Sequence, residues 1–449
     1  MALETLFVRD SSSFEQKGSK NPTNQRFQKK LTTADTKWLA ELAEATGHGE
    51  LVVRLEEGRE DEPLVTRDPD GTWRAGRYIG SITFKDRRLV IEPRFGDDLL
   101  SWCGAAFNLV LVETPGTPQY SDWVVPWLIA TLWSRALVTA ARHGLPALRT
   151  DVRETGLAIR GRLDVQGTIP LRAANSPAAA SVRRVKSVDH AISAAIVAGY
   201  QELTRLVGAQ SRREWPPKRV KELMSPLIAT VGTRPRVPSI ADIEAVRLTP
   251  ITAGFRSLAL LSARIVKRRG ASSAASADGQ CHGLLLDVAE LWELYVLAVL
   301  RKAWPDVDVM HGTHESDDAR ALLLNASGGR LGNLKPDALL RANGKNVAVV
   351  DAKYKRLHPT RWSQAPQRED LYQLAAYIGR YGDDNTPMSG ALAYPLDPEQ
   401  LDDAPPAERD GPWFLNGGKM VQFLTLPHDI DKAAAKLRNR LGCMISTGN

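Results

Sequence analysis

Asp337, Asp351 and Lys353 are the residues of this 449-residue chain whose types and spacing point most directly to chemistry. Asp337 opens one apolar run, Ala338-Leu339-Leu340, and Asp351 and Lys353 close a second, Val347-Ala348-Val349-Val350. Asn343-Gly344 lies between the runs. That dipeptide supplies the positive φ angles of a tight hairpin turn, and the β-branched second run suits a buried strand. A hairpin folded there brings Asp337 to Asp351. Asp351 and Lys353 are two apart, so on an extended strand they share one side. Two carboxylates converging on one point repel each other. A hard cation, Mg²⁺ or Mn²⁺, relieves the repulsion through oxygen ligands and keeps several waters. A lysine beside it orients or deprotonates a water and stabilises negative charge on a phosphate. Together these groups form the minimal apparatus for hydrolysing a phosphodiester. The plainer reading of Asp-x-Lys alone is a solvated ion pair at a strand end; Asp337 and the buried run weigh against it.

Two helices are needed to complete such a site. Residues 284–304 carry an apolar stripe at helical spacing: Val288, Leu291, Leu294, Tyr295, Leu297 and Ala298. Asp287 suits the N-cap, with Glu290 three residues on as in a capping box. Glu293, i+3 from Glu290, has no such local duty and is the candidate third carboxylate, the alternative being a solvated helix glutamate. Downstream, Arg368–Tyr381 reads as an amphipathic helix with Gln373 and Tyr377 at i, i+4 on one face.

Pro336-Asp337, Asp351-Ala352-Lys353 and Gln373-x-x-x-Tyr377, with Glu293 on a preceding helix, resemble the PD-(D/E)xK nuclease superfamily. More narrowly, Val350-Asp351-Ala352-Lys353-Tyr354-Lys355 followed by Asp370-Leu371-Tyr372-Gln373-Leu374-x-x-Tyr377 is similar to the McrC family, the nuclease subunits of McrBC restriction systems that act on modified DNA. Leu291-Trp292-Glu293 stands at that family's Leu-Phe-Glu. Gly76-Arg77-Tyr78-Ile79-Gly80 with Leu89-Val90-Ile91-Glu92-Pro93-Arg94 resembles its N-terminal segment, with Arg94 where lysine is usual. Arg160-Gly161-Arg162-Leu163 matches a further segment. Asp189-His190-Ala191-Ile192-Ser193 falls where the family often has Asp-x-x-x-Asn, with serine for asparagine.

The resemblance implies a metal-dependent endodeoxyribonuclease. Asp337 and Asp351 would bind Mg²⁺ with the Ala352 carbonyl and Glu293, and Lys353 would position the attacking water. Gln373 and Tyr377 would brace the site or contact the DNA backbone, and Lys355 would sit near the phosphates. The implied partners are double-stranded, modified DNA and a separate ring-forming AAA+ NTPase, McrB-like and using GTP or ATP, whose hydrolysis this chain would stimulate. Double-strand cutting needs two sites, hence at least transient self-association. A RecB-like repair nuclease acting on DNA ends shares the Gln-x-x-x-Tyr helix and is the rival reading. A non-catalytic activator of the NTPase is the other, and the complete Asp, Asp and Lys set argues against it.

The remaining chain sets the frame. At 43% hydrophobic and 25% charged it is globular. Lysine and arginine number 59 against 52 acidic residues, a formal +7, which suits a polyanionic partner without requiring one. Three scattered cysteines without CxxC argue for a reducing compartment and against a disulfide framework or zinc site. No run approaches the roughly 20 apolar residues of a membrane span, so a soluble cytoplasmic protein is expected. No G-x-x-x-x-G-K-[ST] is present, so this chain is not expected to bind a nucleotide through a P-loop.

The expected class is α/β multidomain: a mobile arm over 1–35, a small β-rich, α+β partner-binding domain over 36–175, a helical region over 176–278 and a PD-(D/E)xK α/β sandwich over 279–449. The Ser/Ala stretch 270–276 reads as the linker before the last. Basic clusters at Arg183, Arg184 and Lys186, and at Arg212, Arg213, Lys218, Arg219 and Lys221, are candidate DNA or partner contacts on helix ends. A third, Arg264, Lys267, Arg268 and Arg269, is accounted for by a helix C-terminus. Trp123, Trp127 and Trp133 share a helical stripe and are read as core rather than as a base-stacking platform.

Overall fold

In the computed structural model Asn343 and Gly344 take φ values of 49° and 77°, the pair of positive angles that a two-residue hairpin turn needs. They join the antiparallel strands Ala338–Ala342 and Lys345–Ala352. Ala342 pairs with Lys345 and Arg341 with Asn346, but Leu340 pairs with Ala348. Val347 is therefore an extra residue, a bulge that moves the register by one. One step beyond the last pair, Ala338 with Val350, the shifted ladder sets Asp337 opposite Asp351. Without the bulge Asp337 would face Val350.

The structure describes residues 4–15, 30–46, 52–53, 62–96, 98–106, 124–208, 215–273, 281–311, 320–357, 366–382, 388–396, 406–415 and 418–446. The chain divides into two compact units. One contains Ile82–Arg87 and Ser121–Leu284; the other contains Glu4–Ser81, Arg88–Tyr120 and Leu285–Asn449.

The hairpin lies in the second unit, in a six-stranded mixed sheet. Its order is Asp308–His311, Ala338–Ala342, Lys345–Ala352, Ser389–Pro395, Lys419–Leu426 and Trp413–Leu415. The three central strands are parallel and the outer pairings antiparallel. Arg368–Tyr381 covers one face: its Leu374, Tyr377, Ile378 and Tyr381 pack with Leu339, Val349, Leu392, Val421 and Phe423 in one buried cluster. Side chains alternate along a strand, so Asp351 and Lys353 emerge on the face that Val349 gives to this helix. Helices Val288–Ala303 and Ile430–Ser446 pack against each other and against the sheet. Glu4–Arg9, Arg87–Glu92, Tyr78–Phe84, Cys281–Asp287 and Val52–Val53 form a five-stranded sheet in that order, and most of its residues fall in the same unit.

In the first unit Leu148–Gly156 and Arg162–Leu163 both pair antiparallel with Ala179–Ser187. Beside this small sheet, helices Val124–Ala140, Ala191–Gly208, Lys218–Val231 and Gly254–Ser273 pack together. Trp133 is fully buried, and its indole N–H donates to Ser262 Oγ at 2.8 Å. Trp127 is also buried. The two tryptophans are core, as their spacing suggested; Trp123 lies outside the described residues.

Several expectations need correction. Residues 4–15 are not a mobile arm: Glu4–Arg9 is an edge strand of the five-stranded sheet, and its burial pattern places Leu6 and Val8 in the core. The two units divide between Leu284 and Leu285, near the boundary expected at 278, but the linker expected before it is not what the structure shows. Gly254–Ser273 stays helical through the first half of the expected linker, and 274–280 lie outside the described residues. Cys281–Asp287 then pairs with Val52–Val53, so early and late sequence share one sheet. Residues 179–187 form a strand, which puts Arg183, Arg184 and Lys186 on a sheet rather than a helix end. No described helix is long and apolar enough to cross a membrane.

Gly390 decides how closely Arg368–Tyr381 approaches the sheet. A Cβ there would stand 2.5 Å from Ile378 Cδ1 and 3.0 Å from Leu374 Cδ1. Gly390→Val is expected to cost about 1–3 kcal/mol through overpacking, measured as a lower urea midpoint for this unit. An unchanged midpoint would mean that the helix is not seated this tightly.

Candidate active site

The strand Lys345–Ala352 ends where the acidic groups meet. The Ala352 N–H donates to Asp337 Oδ2 at 2.7 Å, tying the mouth of the hairpin together across its two strands. Lys353 extends past the strand end, and its N–H still donates to the Ala393 carbonyl at 2.8 Å. Its Nζ lies 2.6 Å from Asp351 Oδ2 and donates to Gln373 Oε1 at 2.8 Å. Gln373 Nε2 donates to the Tyr377 hydroxyl at 2.7 Å, which donates to the Lys335 carbonyl at 3.0 Å. Gln373 and Tyr377 thus connect the lysine to the residue before Pro336-Asp337. They brace the site from a helix face that the i, i+4 spacing identified.

Glu293 is buried, and Asp287 caps its helix by accepting from the Ala289 N–H at 3.0 Å. The reciprocal capping box expected with Glu290 does not form, and Glu290 is buried. The charges interact strongly. Burial pushes the Asp337 carboxyl well above the usual carboxylate range, and Glu293 and then Asp351 add to the rise, against Lys353. Burial pulls the Lys353 ammonium down, but Asp351, with Asp337 and Asp370, outweighs this and raises it. Lys353 therefore keeps its proton at neutral pH and acts here as a cation. Burial, with Asp351 and Asp337, likewise keeps the Tyr377 hydroxyl protonated.

The donor set is anionic oxygen, the chemistry that Mg²⁺ and Mn²⁺ select. Asp337, Asp351, Glu293 and the Ala352 carbonyl are the groups that fit such a cation. As they stand, no three His, Cys, Asp or Glu among the described residues are grouped to hold a metal ion. Asp337 is turned onto the Ala352 N–H and Asp351 onto Lys353, contacts that ligation would replace.

Three contributors were missed in the sequence. Asp370, buried in the first turn of Arg368–Tyr381, lies 2.6 Å from Lys355 Nζ and 3.9 Å from Lys353 Nζ. Its i+3 relation to Gln373 was the available signal. Lys355 also donates to Gln367 Oε1 at 2.6 Å. Asp10 and Arg94 reach Tyr354, between the two lysines, and nothing local in the sequence marks that meeting.

The basic candidates belong to the other unit. Arg183 donates to Glu154 through Nε at 2.8 Å, and Arg184 lies 4.0 Å from Asp151. Lys186, Lys218 and Arg219 are exposed, with Arg219 paired to Glu222 at 3.2 Å. Lys218 and Arg219 begin a helix, so the dipole does not account for them. Arg212 and Arg213 lie outside the described residues.

The family model for McrBC, described as "McrBC 5-methylcytosine restriction system component", matches residues 73–395. The chain belongs to this family. The McrC-like reading of its motifs stands with that membership. Among solved structures, a chain of the refined half-complex from the tetradecameric assembly of Thermococcus gammatolerans McrB AAA+ hexamers with bound McrC is 17% identical, with a TM-score of 0.53. The match covers 98% of this chain and 99% of that one, and shows a shared McrBC-component fold. A chain of the cryo-EM structure of the T. gammatolerans McrBC complex matches at 15% identity and a TM-score of 0.37, over 67% of this chain and 87% of that one, too low to add weight. No curated protein matches at a significant level.

The acidic crowding sets a pH and metal dependence. A carboxyl raised above its ordinary value of 3.8 stabilises the fold fully only below that value. The contribution is lost as pH rises through the raised value. At pH 7 in chelator, Asp337→Asn, which removes the cost of a buried carboxylate and its repulsion by Glu293 and Asp351, is expected to melt higher by roughly 2–4 °C. Added Mg²⁺ should raise the wild-type melting temperature and not the variant's. A lower-melting variant that still responds to Mg²⁺ would contradict this.

Proposed function

We propose that this chain is the DNA-cutting subunit of an McrBC-type restriction system, a PD-(D/E)xK endonuclease working with a ring-forming AAA+ NTPase. The observation that carries the reading is the meeting of Asp337, Asp351 and Lys353 at the open end of one hairpin, braced by Gln373 and Tyr377. In that arrangement Asp337, Asp351 and Glu293, with the Ala352 carbonyl, would hold Mg²⁺ or Mn²⁺. When bound, such a cation would supply charge neutralisation at the scissile phosphate and activation of a water. Lys353, charged and half-buried, is displaced from Asp351 toward the phosphate and the attacking water. There its charge stabilises the developing negative charge in a site shielded from solvent. Gln373 keeps the ammonium directed as it moves. Lys355 reaches a neighbouring backbone phosphate, since phosphate contacts position DNA without reading its sequence.

The partner is proposed from the family and from the T. gammatolerans assembly, in which McrB AAA+ hexamers carry bound McrC. This chain would stimulate that ring's NTP hydrolysis, and two copies would meet to cut both strands.

The test is cleavage of supercoiled methylated plasmid by the chain with its neighbouring NTPase, Mg²⁺ and GTP or ATP. NTP-dependent linearisation is expected, abolished by Asp351→Ala and slowed about 10²–10³-fold by Lys353→Met. Full cleavage by Asp351→Ala would overturn the site. Faster NTP hydrolysis without cleavage would favour a non-catalytic activator.

A further inference from the structure

Lys353 and Lys355 lie beyond the end of their strand, where the regular ladder has ended although the Lys353 N–H still bonds the Ala393 carbonyl. Tyr354 stands between them and is buried. Its main-chain carbonyl accepts from the Arg94 guanidinium. That guanidinium also lies over the Tyr354 ring, 4.6 Å from its centre, and the ring packs edge-to-face with Phe95 and Trp102, at centroid separations of 5.4 and 5.9 Å. The Tyr354 hydroxyl donates to Asp10 Oδ1 at 3.2 Å. Asp10 is fully buried. It accepts the Arg94 N–H at 2.6 Å, and its Oδ2 lies 3.4 Å from Arg94 Nε. Its own N–H donates to the Glu92 carbonyl at 2.9 Å. A buried carboxylate is tolerated only where it is paired and hydrogen-bonded, so the Asp10–Arg94 pair has little freedom to drift. Tyr354 is gripped at carbonyl, ring and hydroxyl by residues between Asp10 and Trp102.

We propose that Asp10 and Arg94 are positioning residues of the cutting site: acting through Tyr354, they hold the segment that sets Lys353 and Lys355 over the acidic cluster. This rests on the nuclease reading above. Neither residue touches the acidic cluster. Their effect is geometric: any turn of Tyr354 moves the main chain on both sides of it, and both ammonium groups with it. A displacement of about 1 Å at a catalytic group can cost about 100-fold in rate. The consequence for the chain is that residues 281–449 alone lack part of what orders their own lysines.

The experiment uses the full-length chain, as wild type, Tyr354→Phe, Asp10→Asn and Arg94→Lys. Acetic anhydride labelling of Lys353 and Lys355 is followed by mass spectrometry, with exposed Lys218 as reference. Single-turnover plasmid cleavage with the NTPase and the melting temperature are measured beside it. Tyr354→Phe keeps the ring packing and loses only the hydroxyl, so its melting temperature should stay within about 2 °C. Labelling of Lys353 and Lys355 should rise several-fold while Lys218 is unchanged, and cleavage should fall about 10- to 100-fold. Arg94→Lys keeps a charge beside Asp10 but cannot grip the Tyr354 carbonyl in the same way, and should fall between wild type and Asp10→Asn. Unchanged labelling in both Tyr354→Phe and Asp10→Asn would overturn the inference, as would cleavage that falls only in step with melting temperature. If wild type itself does not cut, the nuclease reading fails. The labelling then still decides whether Asp10 and Arg94 order the lysines.

Discussion

The register of one hairpin governs the site. Asn343-Gly344 alone would produce a flush ladder that sets Asp337 against Val350. The extra residue at Val347 moves the pairing by one and sets Asp337 against Asp351. Bulges recur beside active sites because a single inserted residue re-aims every side chain beyond it. Here the residue that makes the shift is itself apolar and buried, so the core holds the bulge in place. Everything built on the open end of the hairpin depends on that one step: the Ala352–Asp337 hydrogen bond, the Asp351–Lys353 pair and the Gln373–Tyr377 brace.

The site stores an electrostatic conflict. Asp337, Asp351 and Glu293 crowd together under low solvent exposure: burial first, then Glu293 and Asp351, displace the Asp337 carboxyl upward, against the pull of Lys353. Such a site is arranged for more positive charge than the chain supplies, a common pattern where a cation and a phosphate are to be accepted. Lys355 and Lys353 are restrained in turn by Asp370, which limits how far either can move toward a neighbouring carboxylate. The helix Arg368–Tyr381 contributes Asp370, Gln373 and Tyr377 from a single face, and Gly390 beneath it allows that face to lie close on the sheet.

Much of this was legible because it is local. The hairpin turn, the Asp351-x-Lys353 spacing, the Arg368–Tyr381 helix and the Gln373–Tyr377 face follow from periodicities of two and 3.6 residues and from turn chemistry. The bulge was not legible: Val347 carries no glycine or other mark and reads as an ordinary strand residue. The role of the first residues was hidden for a different reason. Asp10 and Tyr354 are 344 residues apart, and a single aspartate after an apolar run looks like a strand end. The polar composition of residues 11–30 also masked the short apolar strand before them. The pairing of Cys281–Asp287 with Val52–Val53 joined parts that composition had separated. Residues 179–187 fall in the region expected to be helical, yet the strand pairs its Arg183 with Glu154 across the ladder, a cross-strand relation that spacing along one segment does not reveal.

The central claim is that Asp337 and Asp351, brought opposite each other by the hairpin, share one hard cation. Its most direct measurement is anomalous scattering from crystals of the full-length chain soaked in Mn²⁺, compared with crystals of Asp351→Asn. A peak within ligand distance of both carboxylates and the Ala352 carbonyl, absent from the variant, is the result predicted. Mn²⁺ bound elsewhere, with Asp351 still paired to Lys353, would contradict the account.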